Sequence, residues 1–241
     1  MGGFLPAHWN KLPRTIIDGV QTSSIQSAAA HVLFKWLDRG TVTDAARRLE
    51  HDRLVLTIDG SCELEIDGRP FQCSAGSIMR IPGGAAARYR NCADGTTTIE
   101  VMSPANPEVR SKPVAHVRGP MDWNELPSIP LLGGAIRRAG FRCDNCLVVF
   151  NFSGTDVVAI PEHSHSFDQI TMVLDGQGQL TLGEDKFDCE KGNVLVIPPD
   201  IPHGGNTVGV PTLVVDIFAP IRDDYLNLVQ FQTEFALTAQ Q

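Results

Sequence analysis

The chain has 241 residues, 42% apolar and 20% charged, which is ordinary for a folded protein and enough for one large or two small domains. Its net charge of −8 argues against a nucleic-acid partner, which needs a basic face. No apolar run approaches the ~18 residues of a membrane span, so no membrane role is expected.

The opening MGGFLPAHWN has no charged segment leading into an apolar one, and six cysteines without an export signal suggest reduced thiols in a cytoplasmic protein. After WNKLP (9–13), apolar-alternating runs of five to seven residues are separated by turns such as Asp59-Gly60, Asp67-Gly68 and Pro82-Gly83-Gly84. That rhythm predicts successive antiparallel hairpins, as in a small barrel or jelly roll.

The pattern then repeats. Shifted by 116, Leu174-Asp175-Gly176 falls on Ile58-Asp59-Gly60, Phe187, Cys189 and Gly192 on Phe71, Cys73 and Gly76, Ile197-Pro198 on Ile81-Pro82, and Pro220 on Pro104. WNELP (123–127) falls on WNKLP at a shift of 114. Two copies of one fold are expected, over about 1–115 and 116–241.

Cys143 and Cys146 form a lone C-x2-C. Zinc would need a second pair, and Leu147-Val148-Val149-Phe150 reads as a strand rather than the helix a redox motif opens, so buried or edge thiols are expected. Cys73 and Cys189 are repeat equivalents and read as packing. His8, His31, His51 and His116 match no motif.

Residues 163–203 carry the chemistry. His163 and His165 sit two apart, a spacing that projects both from one strand face. Gln169 adds an oxygen, and His203 a third nitrogen from a later strand. Three imidazoles and an amide oxygen can hold one divalent transition metal (iron, nickel, manganese or zinc) with positions open for a small-molecule substrate. A neutral Gln leaves the metal's charge uncancelled and the site a stronger Lewis acid. Near the C-terminus, 222–235 reads as a helix: Asp223 and Asp224 suit its N-terminal end, and Tyr225, Leu228, Val229 and Phe235 form an apolar stripe that docks on a barrel.

These residues resemble the cupin superfamily, whose pattern is G-x5-H-x-H-x3/4-E-x6-G followed by G-x5-P-x-G-x2-H-x3-N. The chain supplies His163, His165, Gln169 and Gly176, then Gly192, Pro198 and His203. It departs in Gln169 for Glu, Asp200 for the second-motif Gly, Asn206 one residue early, and Val157 for the first Gly. The resemblance implies an all-β fold of two tandem cupin barrels (double-stranded β-helix or jelly roll) with a short C-terminal helix, a bicupin. The C-terminal barrel is similar to pectin-degradation-type cupins, which linearise unsaturated uronates and carry a D-x-F-x-P-x-R run. Here that run is 216–222, and it transfers Asp216 as a general base, Phe218 as wall and Arg222 as a carboxylate clamp. The competing expectation is an Asp216–Arg222 ion pair at the helix start.

In the first copy, His163, His165, Gln169 and His203 become Arg47, Leu49, Arg53 and Ala87, and Asp216, Phe218 and Arg222 become Glu100, Met102 and Asn106. A metal-free barrel is expected there, either structural, with its arginines reaching solvent, or an anion pocket lined by Arg47 and Arg53. Three functions fit: a Lewis-acid enzyme that isomerises, opens or cleaves a sugar-acid or keto-acid-like substrate; a cupin-type iron dioxygenase; and a non-catalytic binding or sensor protein. Pairing of chains into a homodimer is compatible with all three.

Overall fold

The computed structural model describes residues 5–43, 48–103 and 119–232. The repeat holds strand for strand. Val20–Gln26, His31–Leu37, Arg53–Asp59, Ser61–Ile66, Arg69–Ser74, Ser77–Ile81, Ala87–Arg90 and Thr96–Met102 recur 116 residues later. Their counterparts are Ile136–Arg142, Leu147–Ser153, Gln169–Asp175, Gln177–Leu182, Asp185–Glu190, Asn193–Ile197, His203–Thr207 and Thr212–Phe218. Most successive strands pair antiparallel across the turns marked by Gly. At Gly60 and Gly176 the backbone is left-handed, and a side chain would meet Thr96 in one copy and Pro211 and Thr212 in the other, so only Gly fits.

Each half builds a seven-stranded sheet over a smaller one, four-stranded in the second half and three-stranded in the first. The extra strand is Ala159–His163. Its counterpart positions run into residues 44–47, outside the described residues, beside an isolated Arg48–Ala86 bridge.

The opening strand of each half crosses to the other. Ala7–His8 pairs with Asn193–Ile197 of the second barrel, and Met121–Asp122 with Ser77–Ile81 of the first. Beyond each crossing a Trp turns back onto its own half: Trp9 stacks on Phe34 and Trp123 on Phe150, both with ring centroids 5.5 Å apart. One continuous apolar core joins the two large sheets, with Phe34, Leu54, Leu56 and Ile99 from one half against Phe141, Phe150, Ile170 and Ile217 from the other. Each such side chain stabilises by roughly 1.5–3 kcal/mol relative to exposure.

The expected helix over 222–235 is corrected in type. Asp223–Val229 is a 3-10 helix that passes into α-helical Gln230–Gln232, and 233–235 lie outside the described residues. Three residues per turn set Tyr225 and Leu228 on one face. The helix packs closely on Ile136–Arg142, where a side chain at Gly140 would touch Leu228 and Val229. All six cysteines are free and buried. Cys143 and Cys146 face each other at 3.1 Å across the turn between Ile136–Arg142 and Leu147–Ser153.

Candidate metal centre

The His cluster is assembled from two paired strands and the turn that follows. His163 ends Ala159–His163 and lies directly opposite His203, the first residue of His203–Thr207. His165 is not on that strand, so the expected one-face alternation does not operate. A register irregularity between Ile160 and His163 and the turn before Gln169 bring the two rings together instead. One ring nitrogen from each of His163, His165 and His203 lies within 4.8 Å of the other two.

The rings are oriented from behind. Nδ1 of His163 meets the Pro161 carbonyl at 3.0 Å, that of His165 the Phe167 carbonyl at 2.8 Å, and that of His203 the Ile201 carbonyl at 2.8 Å. A carbonyl can only accept, so each Nδ1 carries a proton, and Nε2 is the ring nitrogen left for a metal. His203 Nε2 is buried with no hydrogen-bond partner among the described residues. Burial lowers the His203 pKa, with His163 and His165 adding to the effect, so its imidazole is held neutral.

Gln169 is fixed as firmly. Its amide nitrogen donates to Thr171 Oγ1 at 2.7 Å and to Asp216 Oδ1 at 2.8 Å. Its oxygen is thereby turned onto His165 Nε2, 3.0 Å away. With Nε2 unprotonated, both atoms are acceptors turned to one point, where a shared cation can sit. Three imidazoles and an oriented amide oxygen fit a divalent transition metal.

The transferred residues divide. Asp216 accepts from Gln169 and Thr171 at Oδ1 and from Asn151 at Oδ2, so both oxygens are engaged in holding the Gln169 amide. No Asp216–Arg222 pair forms. Arg222 binds Asp224 through Nε (3.0 Å) and Nη2 (2.6 Å) and lies over the rings of Phe167, Phe218 and Tyr225. It is not among the described residues lining the cavity. Phe218 is wall, edge-on to the His165 ring at 5.8 Å.

The cavity of about 400 Å³ is faced by His163, Gln169 and His203, within the usual range for a small-molecule site. Sequence reasoning missed its far side. Arg138 lies directly across from Asn151 and donates to Asn151 Oδ1 at 2.7 Å and to Tyr225 Oη at 2.8 Å. A polar row thus crosses neighbouring strands: Arg138, Asn151, Asp216, then Gln169 with Thr171. The available signal was Asn151 inside the apolar run LVVFNFS, an inward polar residue that needs a partner.

The first barrel fills the same row differently. Lys35, Glu100 and Arg53 stand at the positions of Asn151, Asp216 and Gln169. Lys35 Nζ lies 2.6 Å and Arg53 Nη1 3.5 Å from the Glu100 carboxylate, and Tyr89 donates to it at 2.7 Å. Burial works against the charge, but the two cations prevail and hold the Glu100 pKa at about 2. Arg53 is therefore buried and paired, contrary to the expectation that it reaches solvent. The remaining space is about 20 Å³, too little for an anionic metabolite. Arg47 and Asn106 lie outside the described residues.

Residues 148–235 match the family described as AraC-like ligand binding domain. Over 48 residues the chain is 38% identical to an uncharacterized protein of Methanocaldococcus jannaschii; the stretch is 20% of this chain and 38% of that protein, so the match spans little more than a third of the relative. Among solved structures, a protein of Pseudomonas aeruginosa described as glyoxylate-induced superposes with a TM-score of 0.76 at 13% identity, covering 92% of this chain and 90% of that one. A cupin 2 conserved barrel domain protein of Leptotrichia buccalis gives 0.68 at 17% identity, covering 89% and 96%. Oxalate decarboxylase of Bacillus subtilis, as a point mutant, gives 0.69 at 12%, covering 92% and 78%. Identities this low carry the fold alone, and that fold is the cupin barrel.

Proposed function

We propose that this cupin-fold chain is a metal-dependent enzyme acting on a small oxygenated acid of the sugar-acid or keto-acid kind, by isomerisation, ring-opening or elimination. One divalent transition metal would be held in the C-terminal barrel by His163, His165, His203 and Gln169. The observation that carries this reading is the set of three imidazoles pinned at Nδ1, with His203 Nε2 buried and unpartnered. Bound there, the metal supplies Lewis acidity towards a carbonyl or hydroxyl oxygen. The chain's own residues do the rest. Asp216 and Thr171 hold Gln169 in register. Phe218 and the apolar wall keep bulk water from the reacting oxygen. Tyr225 Oη already accepts from Arg138, which leaves its own hydrogen free to donate into the cavity.

Metal content of protein purified without added metal or chelator is the first test, with about one metal per chain expected in the wild type and almost none in His163→Ala. Equal content in the two proteins would end this assignment. Turnover retained without oxygen supports the Lewis-acid chemistry, whereas turnover that requires oxygen and ferrous iron supports a dioxygenase. The match to AraC-like ligand binding domains favours a second reading, a non-catalytic binding cupin. Tight binding of a keto acid with no product over hours would support it.

A further inference from the structure

The polar row across the C-terminal barrel ends in a cation without a counter-charge. Arg138 lines the cavity, half-buried, and its two hydrogen bonds go to neutral acceptors, Asn151 Oδ1 and Tyr225 Oη. Among the described residues no carboxylate is paired with it. Arg138 is the one guanidinium and Asp216 the one carboxylate among the described residues lining this space. Asp216 is spent on Gln169, Thr171 and Asn151.

The first barrel shows the same row with its cations paired. There the cations stand next to the carboxylate, as Lys35 and Arg53 against Glu100, and the interior is filled. In the second barrel those positions are neutral, Asn151 and Gln169. The cation is displaced to Arg138, at the position of Thr22, with open space before it. Neutral ligands around a divalent ion add positive charge to the same cavity. A half-buried guanidinium facing such a space recognises an anion, and its planar fork fits a carboxylate.

We propose that Arg138, rather than Arg222, is the carboxylate-recognition residue of this cavity. Its ligand then carries a carboxylate at one end and an oxygen function directed at the histidine cluster at the other. Asn151 and Tyr225 hold the guanidinium in place, and Tyr225 also offers its hydroxyl beside it. This assignment rests on the metal reading above for the second end of the ligand only.

The test uses the full-length, metal-loaded chain and linear dicarboxylates from succinate to adipate, each compared with its monoamide by calorimetry. The two members of a pair differ at one end alone. At one chain length the wild type is expected to prefer the diacid by about tenfold or more, the scale of one charged hydrogen-bonded pair. Arg138→Gln should bring that ratio to about one with metal content unchanged, and Arg138→Lys, which keeps the charge but not the fork, should retain part of it. A preference that survives in Arg138→Gln, or a wild type without one at any length, overturns the proposal. Failure of the metal reading registers separately, as absent metal in the wild type. On metal-free protein the readout is the affinity of the diacid itself, which should be about tenfold weaker in Arg138→Gln than in the wild type, because one carboxylate then suffices for Arg138.

Discussion

Asp216 sits where a proton-transfer carboxylate was expected, yet its oxygens receive Gln169, Thr171 and Asn151. Its work is to decide which way the Gln169 amide points. Asp216→Asn would put an NH2 group against donors and release the amide. Metal affinity should fall roughly 10–100-fold with little change in fold, measured by competition with a chromogenic chelator; unchanged affinity would leave Gln169 outside the coordination set. The candidate ligands were legible because imidazole spacing, glycine and proline recur as a string. Arg138 was not, because nothing local distinguishes an arginine that faces a cavity from one that faces solvent. Arg222 stands in an intact D-x-F-x-P-x-R run, but it packs over the Phe167, Phe218 and Tyr225 rings and pairs with its near neighbour Asp224.

At the scale of elements, the same four adjacent strands make an open site in one half and a filled interior in the other. Removing Glu100 takes away the carboxylate that the buried Lys35 and Arg53 share. Glu100→Gln should therefore destabilise the chain by roughly 3–5 kcal/mol in urea titration, whereas a surface pair of similar geometry would cost far less. The acid dependence has a definite sign. The folded pKa of about 2 lies below the ordinary 4.5, so this stabilisation is complete above about pH 4.5 and is lost as pH falls towards 2. The glutamine variant should lose less stability across that window, and parallel acid curves would show the cluster to be uncoupled from folding. Strand positions were readable from alternation and Asp-Gly turns, and the 116-residue offset predicted the second set from the first. The end of the chain was less so: Tyr225 and Leu228 satisfy a helical stripe, but only packing on Gly140 reveals the tighter 3-10 winding.

For the whole molecule, the exchanged strands Ala7–His8 and Met121–Asp122 and the single core between the large sheets tie the halves together. The sequence marked two copies but not this exchange, since two-residue strands leave no periodic trace. Residues 116–241 expressed alone should expose Phe141, Phe150 and Ile217 and lose the strand that edges Asn193–Ile197. Self-association or dye binding by light scattering and fluorescence is expected, and a well-behaved folded monomer would contradict the shared core. The Lys35–Glu100–Arg53 cluster has one more consequence, in stoichiometry. Two barrels of like architecture invite an even count of binding events, but among the described residues the first interior is filled and the second open. Under the proposed function, saturation of a single chain should therefore follow a simple hyperbola, and a sigmoidal response should arise between chains.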